Sequence, residues 1–556
     1  MNLPATPLRL APGLLAAALA LPIAAGLAGT LAPALKGQGF QILAAWPGLP
    51  RAVTLSLTTG LASTLAALAI TLLLVACLHG TPAFTAFRRL LSPLLALPHA
   101  AAALGLAFLI APAGWIARAL SPWATGWTTP PDALILNDPM GLALTLGLIA
   151  KEVPFLLLMA LAALPQTDAP RRALVAASLG YGRAMGFALT TLPTLYQRLR
   201  MATFAVLAYA MTNVDMAMIL GPSLPPTLAV QITDWMADPR LTQLPTAAAA
   251  ALCQLALTAA AIATWMLAER LLAPLIPALA SMGKRGQGLD APLAALAKAL
   301  ALTIAASLAA GMAALALWSF AGLWQFPETL PETLTLKTWT KAAPDLLATS
   351  LTPLAIATAA SLIALALTLA ALESESRRRT PLPIEPLIYL PLILPQIAFL
   401  PGLQILALSA GAQGGPLIVT AAHILFVLPY VWLSLAPAFR GWDARLGLAA
   451  AALGTQPARI FWRLRLPMLL APLLTALAVG IAVSVGQYLP TLLLGGGRVE
   501  TLTTEALALA SGGNRRLIGA TAILQMALPA AGFALALLIP RLAFANRRGL
   551  LTEHTP

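Results

Sequence analysis

Charge is what this chain lacks first. Of its 556 residues only 9% are Asp, Glu, Lys or Arg, and 60% are hydrophobic, where soluble domains carry roughly 25% charged residues. A chain so poor in charge cannot cover a soluble surface, and a mean hydropathy of +0.86 specifies a polytopic, all-α membrane protein. Cysteine is almost absent. Cys77 and Cys253 both stand in apolar runs, which excludes a disulfide framework. Histidine is equally sparse: His79, His99, His423 and His554 share no metal-ligand spacing, so packing roles are expected of them and no metal site. No catalytic constellation is clustered anywhere. Aromatic residues make up only 6% of the chain and charged ones 9%, and without broad aromatic-interleaved basic patches the net charge of +14 does not describe a nucleic-acid surface. It fits basic residues retained on one side of a membrane. A GxxxxGK[ST] phosphate loop is missing too, which excludes ATP binding by that device.

What is present is a series of apolar runs, each long enough at 1.5 Å per residue to cross a ~30 Å core. Six are expected at about 10–35, 52–78, 90–110, 141–164, 201–220 and 244–267. A mixed stretch around Lys284 and Arg285 follows, and six more runs lie at about 299–324, 346–372, 386–408, 417–439, 469–494 and 517–540. This predicts two parallel sets of six spans, 1–275 and 299–556, joined by a cytoplasmic linker at 276–298. The first run exceeds a signal-peptide core and is read as a retained span. With both termini inside, most of the 33 Lys and Arg fall on the cytoplasmic side, including Arg9, Arg377–Arg379, Arg547 and Arg548. Trp115, Trp123, Trp127, Trp318, Trp324 and Trp339 are expected in an outer interfacial belt.

One segment occurs twice. LVAASLGYGRAMGFALTTLP at Leu174–Pro193 and LAAAALGTQPARIFWRLRLP at Leu448–Pro467 both run from a small-residue helix to Leu-Gly, and then, thirteen residues on, to Leu-Pro. Gly180 and Gly454 lie 274 positions apart, as do Pro193 and Pro467. The Ala-rich part is helical by propensity. The glycine supplies a left-handed stop, a short basic helix with Arg183 or Arg459 follows, and the proline suits the first turn of the next span. Each copy is predicted to lie on the cytosolic face between the fourth and fifth spans of its set. Two same-oriented sets describe a parallel internal repeat about an axis along the membrane normal.

A charge inside a span is costly enough to mark a functional candidate. Lys151 and Glu152 fall in the fourth run just before Pro154, and Asn213 and Asp215 lie in the fifth. Gln487 and Tyr488 occupy the corresponding part of the second set. These six residues are the expected lining of a pathway, with a Lys151–Glu152 structural pair as the alternative.

The repeated segment resembles the EAA loop of permease subunits of binding-protein-dependent ABC importers: Glu-Ala-Ala, three residues, Gly, nine residues, an aliphatic residue, one residue, Leu-Pro. Ala176, Gly180 and Pro193, and Ala449, Ala450, Gly454 and Pro467, match it. Leu174 and Leu448 stand at the glutamate position, and the aliphatic position holds Thr190 in one copy and Leu464 in the other. Two halves in one chain resemble the fused permeases of the thiamine and ferric-iron importers. Val214–Trp235 and Gly486–Arg498 look most like the YnjC group of fused permeases. The resemblance implies a multi-pass protein of the bacterial inner membrane that carries a small solute inwards and is not itself an enzyme. It implies coupling to two copies of a cytoplasmic ABC ATPase through Ala176, Gly180, Arg183, Pro193, Ala449, Ala450, Gly454, Arg459 and Pro467. A periplasmic solute-binding protein would deliver the solute. No cofactor is expected on this chain, since ATP and Mg belong to the ATPase. A proton-coupled secondary transporter of two times six spans is the main alternative, but such transporters typically carry their repeated signal between spans two and three. A membrane-embedded lipid transferase is a third.

Overall fold

The computed structural model describes residues 6–95, 97–378 and 382–544. Arg379, Arg547, Arg548 and His554 lie outside them. Among the described residues the chain is helical apart from one isolated bridge, Ala321 to Leu334. In the first set of spans we label α1 (Thr6–Lys36), α2 (Leu49–Leu78), α3 (His99–Ile110), α4 (Leu142–Ala163), α5 (Ala169–Ser178), α6 (Arg183–Thr190), α7 (Leu192–Thr212), α8 (Asp215–Leu220) and α9 (Leu244–Leu272). In the second set follow α10 (Asp290–Phe320), α11 (Lys337–Arg378), α12 (Glu385–Ile393), α13 (Gln396–Ser409), α14 (Pro416–Arg440), α15 (Ala444–Ala452), α16 (Pro457–Ile460), α17 (Leu470–Val485), α18 (Leu489–Gly495) and α19 (Arg515–Ala543).

Nine helices among the described residues are long and apolar enough to cross a membrane, and two bent pairs raise the number to eleven. The twelfth expected span has its counterpart in α7, whose first turns carry Arg198 and Arg200 and dilute its apolar character. The departures from continuous spans have local causes. The run expected at 386–408 bends by 89° between α12 and α13, where Leu394 is extended before Pro395, because a following proline ring disfavours the helical conformation. The run expected at 90–110 begins its span only at His99, after an extended Pro98. In the fifth span of each set the helix breaks before its C-terminal end, at Asn213–Val214 and at Gly486–Tyr488.

The two sets exchange their first helices. α1 packs on α11 and α13, and α10 packs on α2 and α3. Both crossings are glycine against glycine: Gly29 faces Gly402, and Gly105 faces Gly311. Small residues let helix backbones approach closely where lipid offers no hydrophobic drive to associate. The tryptophans expected in an outer belt differ in exposure. Trp123 is exposed, whereas Trp318 and Trp324 are buried, their ring centroids 4.3 Å apart, with the Arg118 guanidinium over both. A cation over an indole face is attracted by the ring quadrupole, which draws these rings inward.

Candidate functional site

Both copies of the repeated segment turn in the same way. α5 ends at Ser178 and α15 at Ala452, and the glycine two residues later has φ +80° in each, at Gly180 and at Gly454. The N–H of Tyr181 donates to the Ala176 carbonyl (3.0 Å) and that of Gly180 to Ala177 (2.9 Å). Thr455 donates to Ala450 (3.1 Å) and Gly454 to Ala451 (2.9 Å). This is a Schellman closure, in which a left-handed residue satisfies the last carbonyls of a helix. The alanine of the motif therefore sets the carbonyl that the turn closes on, and Ala176 is buried while its neighbours are exposed.

Beyond the turn the copies diverge. α6 is followed directly by α7, with Pro193 in its first turn. In the second copy α16 passes through a π-helical turn, Phe461–Arg465, and Pro467 sits in a three-residue helix, Leu466–Met468. A bend of 74° then precedes α17. Arg183 does not point away from the protein. Its Nε donates to the Ala76 carbonyl (2.8 Å) and its Nη2 to that of His79, tying α6 to the end of α2. Burial, reinforced by Arg183 and Arg88, pushes His79 below the usual histidine range, which keeps it neutral there. In the second copy the tie is Arg465, which is buried. It donates to Glu373 (3.2 Å) and to the Phe439 carbonyl (3.0 Å), with its guanidinium 3.7 Å from the Phe439 ring centroid. Arg459 remains exposed. The leucines at the glutamate position are exposed too, Leu174 by 72% and Leu448 by 59%, and so are Leu179 and Leu453 at the turns, by 58% and 86%. Each segment thus presents two bare leucines beside an identical turn, a shape that offers apolar contact where the family pattern has a charge.

The intramembrane residues form a second locus. Glu152 is buried, and its Oε1 has no hydrogen-bond partner but lies 3.7 Å from His99 Nε2. His99 packs on Tyr209 with centroids 4.7 Å apart. Asn213 Nδ2 donates to Tyr209 Oη (2.6 Å) and to Asp215 Oδ1 (2.6 Å), and Asn213 Oδ1 accepts from the N–H of Met216 (2.8 Å). Asn213 therefore makes the break in the fifth span: its side chain caps α8 as a polar N-cap does. Irregular backbone at this depth is tolerated where it is buried in protein or lines a cavity. Lys151 is buried beside Glu152. From the second set Tyr488 Oη donates to Met218 Sδ (3.6 Å). Glu152 and Asp215 are thus linked to Tyr209 through His99 and Asn213, and Tyr488 of the second set reaches the same helix, α8, at Met218. Gln487 flanks Tyr488 in the equivalent break.

Residues 363–546 match the family described as "Binding-protein-dependent transport system inner membrane component". Over 520 residues, covering 94% of each chain, the sequence is 34% identical to the inner membrane ABC transporter permease protein YnjC of Escherichia coli (strain K12). The chain belongs to this permease family. Shorter stretches match the molybdenum transport system permease protein ModB of Mycobacterium tuberculosis (strain ATCC 25618 / H37Rv), 32% identical over 24% of this chain and 55% of that one. A spermidine/putrescine transport system permease protein PotC homolog of Mycoplasma genitalium (strain ATCC 33530 / DSM 19775 / NCTC 10195 / G37) is 31% identical over 19% of this chain and 37% of its own. The protein is the permease of an ABC importer, a multi-pass membrane protein, and the secondary-transporter and transferase readings fall with that assignment. Permeases of this family work with an ATPase subunit, where hydrolysis takes place, and with a binding protein.

Sequence reasoning missed part of the permease's inner locus. His99 and Tyr209 belong to it, and nothing in their sequence spacing joins them to Glu152. A histidine opening a span after Pro98 was the available signal. His423 is buried, with Nδ1 2.7 Å from Ser484 Oγ and Nε2 3.0 Å from Thr491 Oγ1.

Proposed function

We propose that the permease forms the path of a small solute between its two sets of spans, 1–275 and 299–556, and that each repeated segment docks on one of two copies of a cytoplasmic ABC ATPase. The observation that carries this reading is the repeated left-handed turn, φ +80° at Gly180 and at Gly454, with matching carbonyl closure and an exposed leucine pair in both copies. Closure of the ATPase dimer on ATP draws the two segments together. Arg183 hands that movement to α2, and Arg465 hands it to α11 and α14 through Glu373 and Phe439. The spans then rock between inward and outward access. A periplasmic binding protein delivers the solute at the opposite face, and both termini lie in the cytoplasm. Orientation is supported by the basic bias of the inner loops, and the bond from Arg378 Nη2 to the Arg9 carbonyl (2.9 Å) keeps the start of α1 and the end of α11 on one side.

In this reading Glu152, Asn213, Asp215 and Tyr488 line the path, with Lys151 and Gln487 beside them. Asp215→Asn is expected to reduce uptake of the solute carried by the purified binding protein about tenfold, and to leave ATPase association unchanged, since the site is remote from the cytosolic segments. The comparison is uptake by proteoliposomes against retention of the ATPase on the tagged permease. Unchanged uptake over a range of binding-protein concentrations would return Asp215 to a structural role.

A further inference from the structure

The start of α6 is capped from a distance. The first N–H groups of a helix lack intrahelical partners, and a polar side chain at the N-cap ordinarily takes one of them. The N-cap of α6 is Gly182, which has no side chain. Asp290 takes its place: Oδ2 accepts from the N–H of Arg183 at 2.7 Å, and Oδ1 from that of Ala184 at 3.0 Å. Glycine at 182 is what admits the carboxylate, because a Cβ there would stand 2.7 Å from Asp290 Oδ2 and 2.9 Å from Gln287 Cα. Asp290 is also the first residue of α10, so one negative charge lies at two helix N-termini, where the helix dipoles favour it.

Two further bonds come from the same stretch. The N–H of Gly182 donates to the Arg285 carbonyl (2.7 Å), and Gln287 Nε2 donates to the carbonyl of Gly180, the turn residue itself (2.7 Å). Gly286, at φ +66°, turns the chain between them. In the second segment the first of these two N–H groups is absent. Pro457, 274 positions after Arg183, has no N–H to satisfy, and its N-cap Gln456 makes no side-chain cap bond.

We propose that the stretch Arg285–Asp290, in the connection between the two sets of spans, is a working part of the first coupling segment, with Asp290 as the positioning residue that holds α6 for the ATPase. The inference rests on the coupling role given to the repeated segments above. It makes the two segments unequal. The first is fastened to α10, the opening span of the second set, which itself packs on α2 and α3. ATPase movement at the first segment therefore reaches both sets at once.

The test is the apparent Kd of the purified ATPase for the full-length permease in nanodiscs. Asp290→Ala is expected to raise it about fivefold, the factor that corresponds to loss of a helix cap, and Asp290→Asn, which keeps one acceptor oxygen, about twofold. Asp290→Ala added to Gly180→Val should cost little more than Gly180→Val alone, because both act on one segment. Added to Gly454→Val it should multiply, as separate sites do. General damage to the fold would not distinguish the two backgrounds. If Asp290→Ala does not accumulate in the membrane, Asp290→Asn carries the same comparison. A Kd within error of wild type for both Asp290 variants, with Gly180→Val weakened, overturns the clasp and leaves the coupling role standing. Wild-type Kd values for both Gly180→Val and Gly454→Val overturn the coupling role itself.

Discussion

A permease carrying both Gly180→Val and Gly454→Val is expected to insert normally and to lose its ATPase. A β-branched residue cannot hold φ +80° without strain, which amounts to about 1–2 kcal/mol per residue in the left-handed region. That is roughly 5- to 30-fold against the docked geometry at each turn. The two sites separate backbone strain from crowding. An added Cβ at Gly454 meets nothing within 4 Å, whereas at Gly180 it meets Arg285 Nη1 at 2.8 Å, the end of a flexible side chain that can move. The single variants should therefore weaken association by similar factors, with Gly180→Val slightly the worse, and the double variant should retain almost no ATPase on affinity purification. Membrane abundance, measured in parallel, should match wild type, since neither turn lies within a span.

The second large effect is expected at Gly402. A Cβ built there stands 1.9 Å from the Gly26 carbonyl oxygen and 2.3 Å from the Thr30 N–H nitrogen, both backbone atoms of α1 that no rotamer change can remove. Gly402→Ala therefore forces α1 away from α13. Overpacking of this kind costs about 1–3 kcal/mol in well-packed cores and occasionally more, and here backbone meets backbone. Gly13, in the same α1, has nothing within 4 Å of a built Cβ, and Gly13→Ala should be neutral or stabilising by up to about 1 kcal/mol through helix propensity. The readout is the fraction of permease that stays monodisperse in detergent after graded heating. Gly402→Ala should lose it several degrees below wild type or fail to purify, and an unchanged midpoint would deny the close crossing of α1 and α13.

The features legible in the sequence were those with a local backbone cause. Gly180, Gly454, Pro193 and Pro467 each restrict the chain at their own position, so two copies in register announced two identical turns before any contact was known. Buried spans were legible for the same kind of reason, since length and hydropathy are properties of a window. The breaks at Asn213 and at Gly486–Tyr488 were not, because the few polar residues there are averaged out among apolar neighbours and a window average does not register a change of direction. Distance in sequence concealed the rest. Asp290 caps a helix 107 residues before it, Arg183 reaches the carbonyls of Ala76 and His79, and the exchange of α1 and α10 depends on pairs of glycines with no periodic signature. His99 and Tyr209 join Glu152 only when three helices converge. Pro467 shows the converse error: the same dipeptide that opens α7 follows a π-helical turn and precedes a bend in the second copy, where Arg465 is drawn onto Phe439.

The claim that matters most is that the two exposed turns are where the ATPase docks, and cross-linking tests it without knowledge of the solute. A photoactivatable phenylalanine analogue placed singly at Leu179, Leu453 or Trp123, the last 77% exposed and assigned to the opposite face, would be irradiated in membranes that contain the permease and its ATPase. Adducts with the ATPase from both Leu179 and Leu453, and none from Trp123, are what the account predicts. No ATPase adduct from either leucine, or an adduct from Trp123, would contradict it.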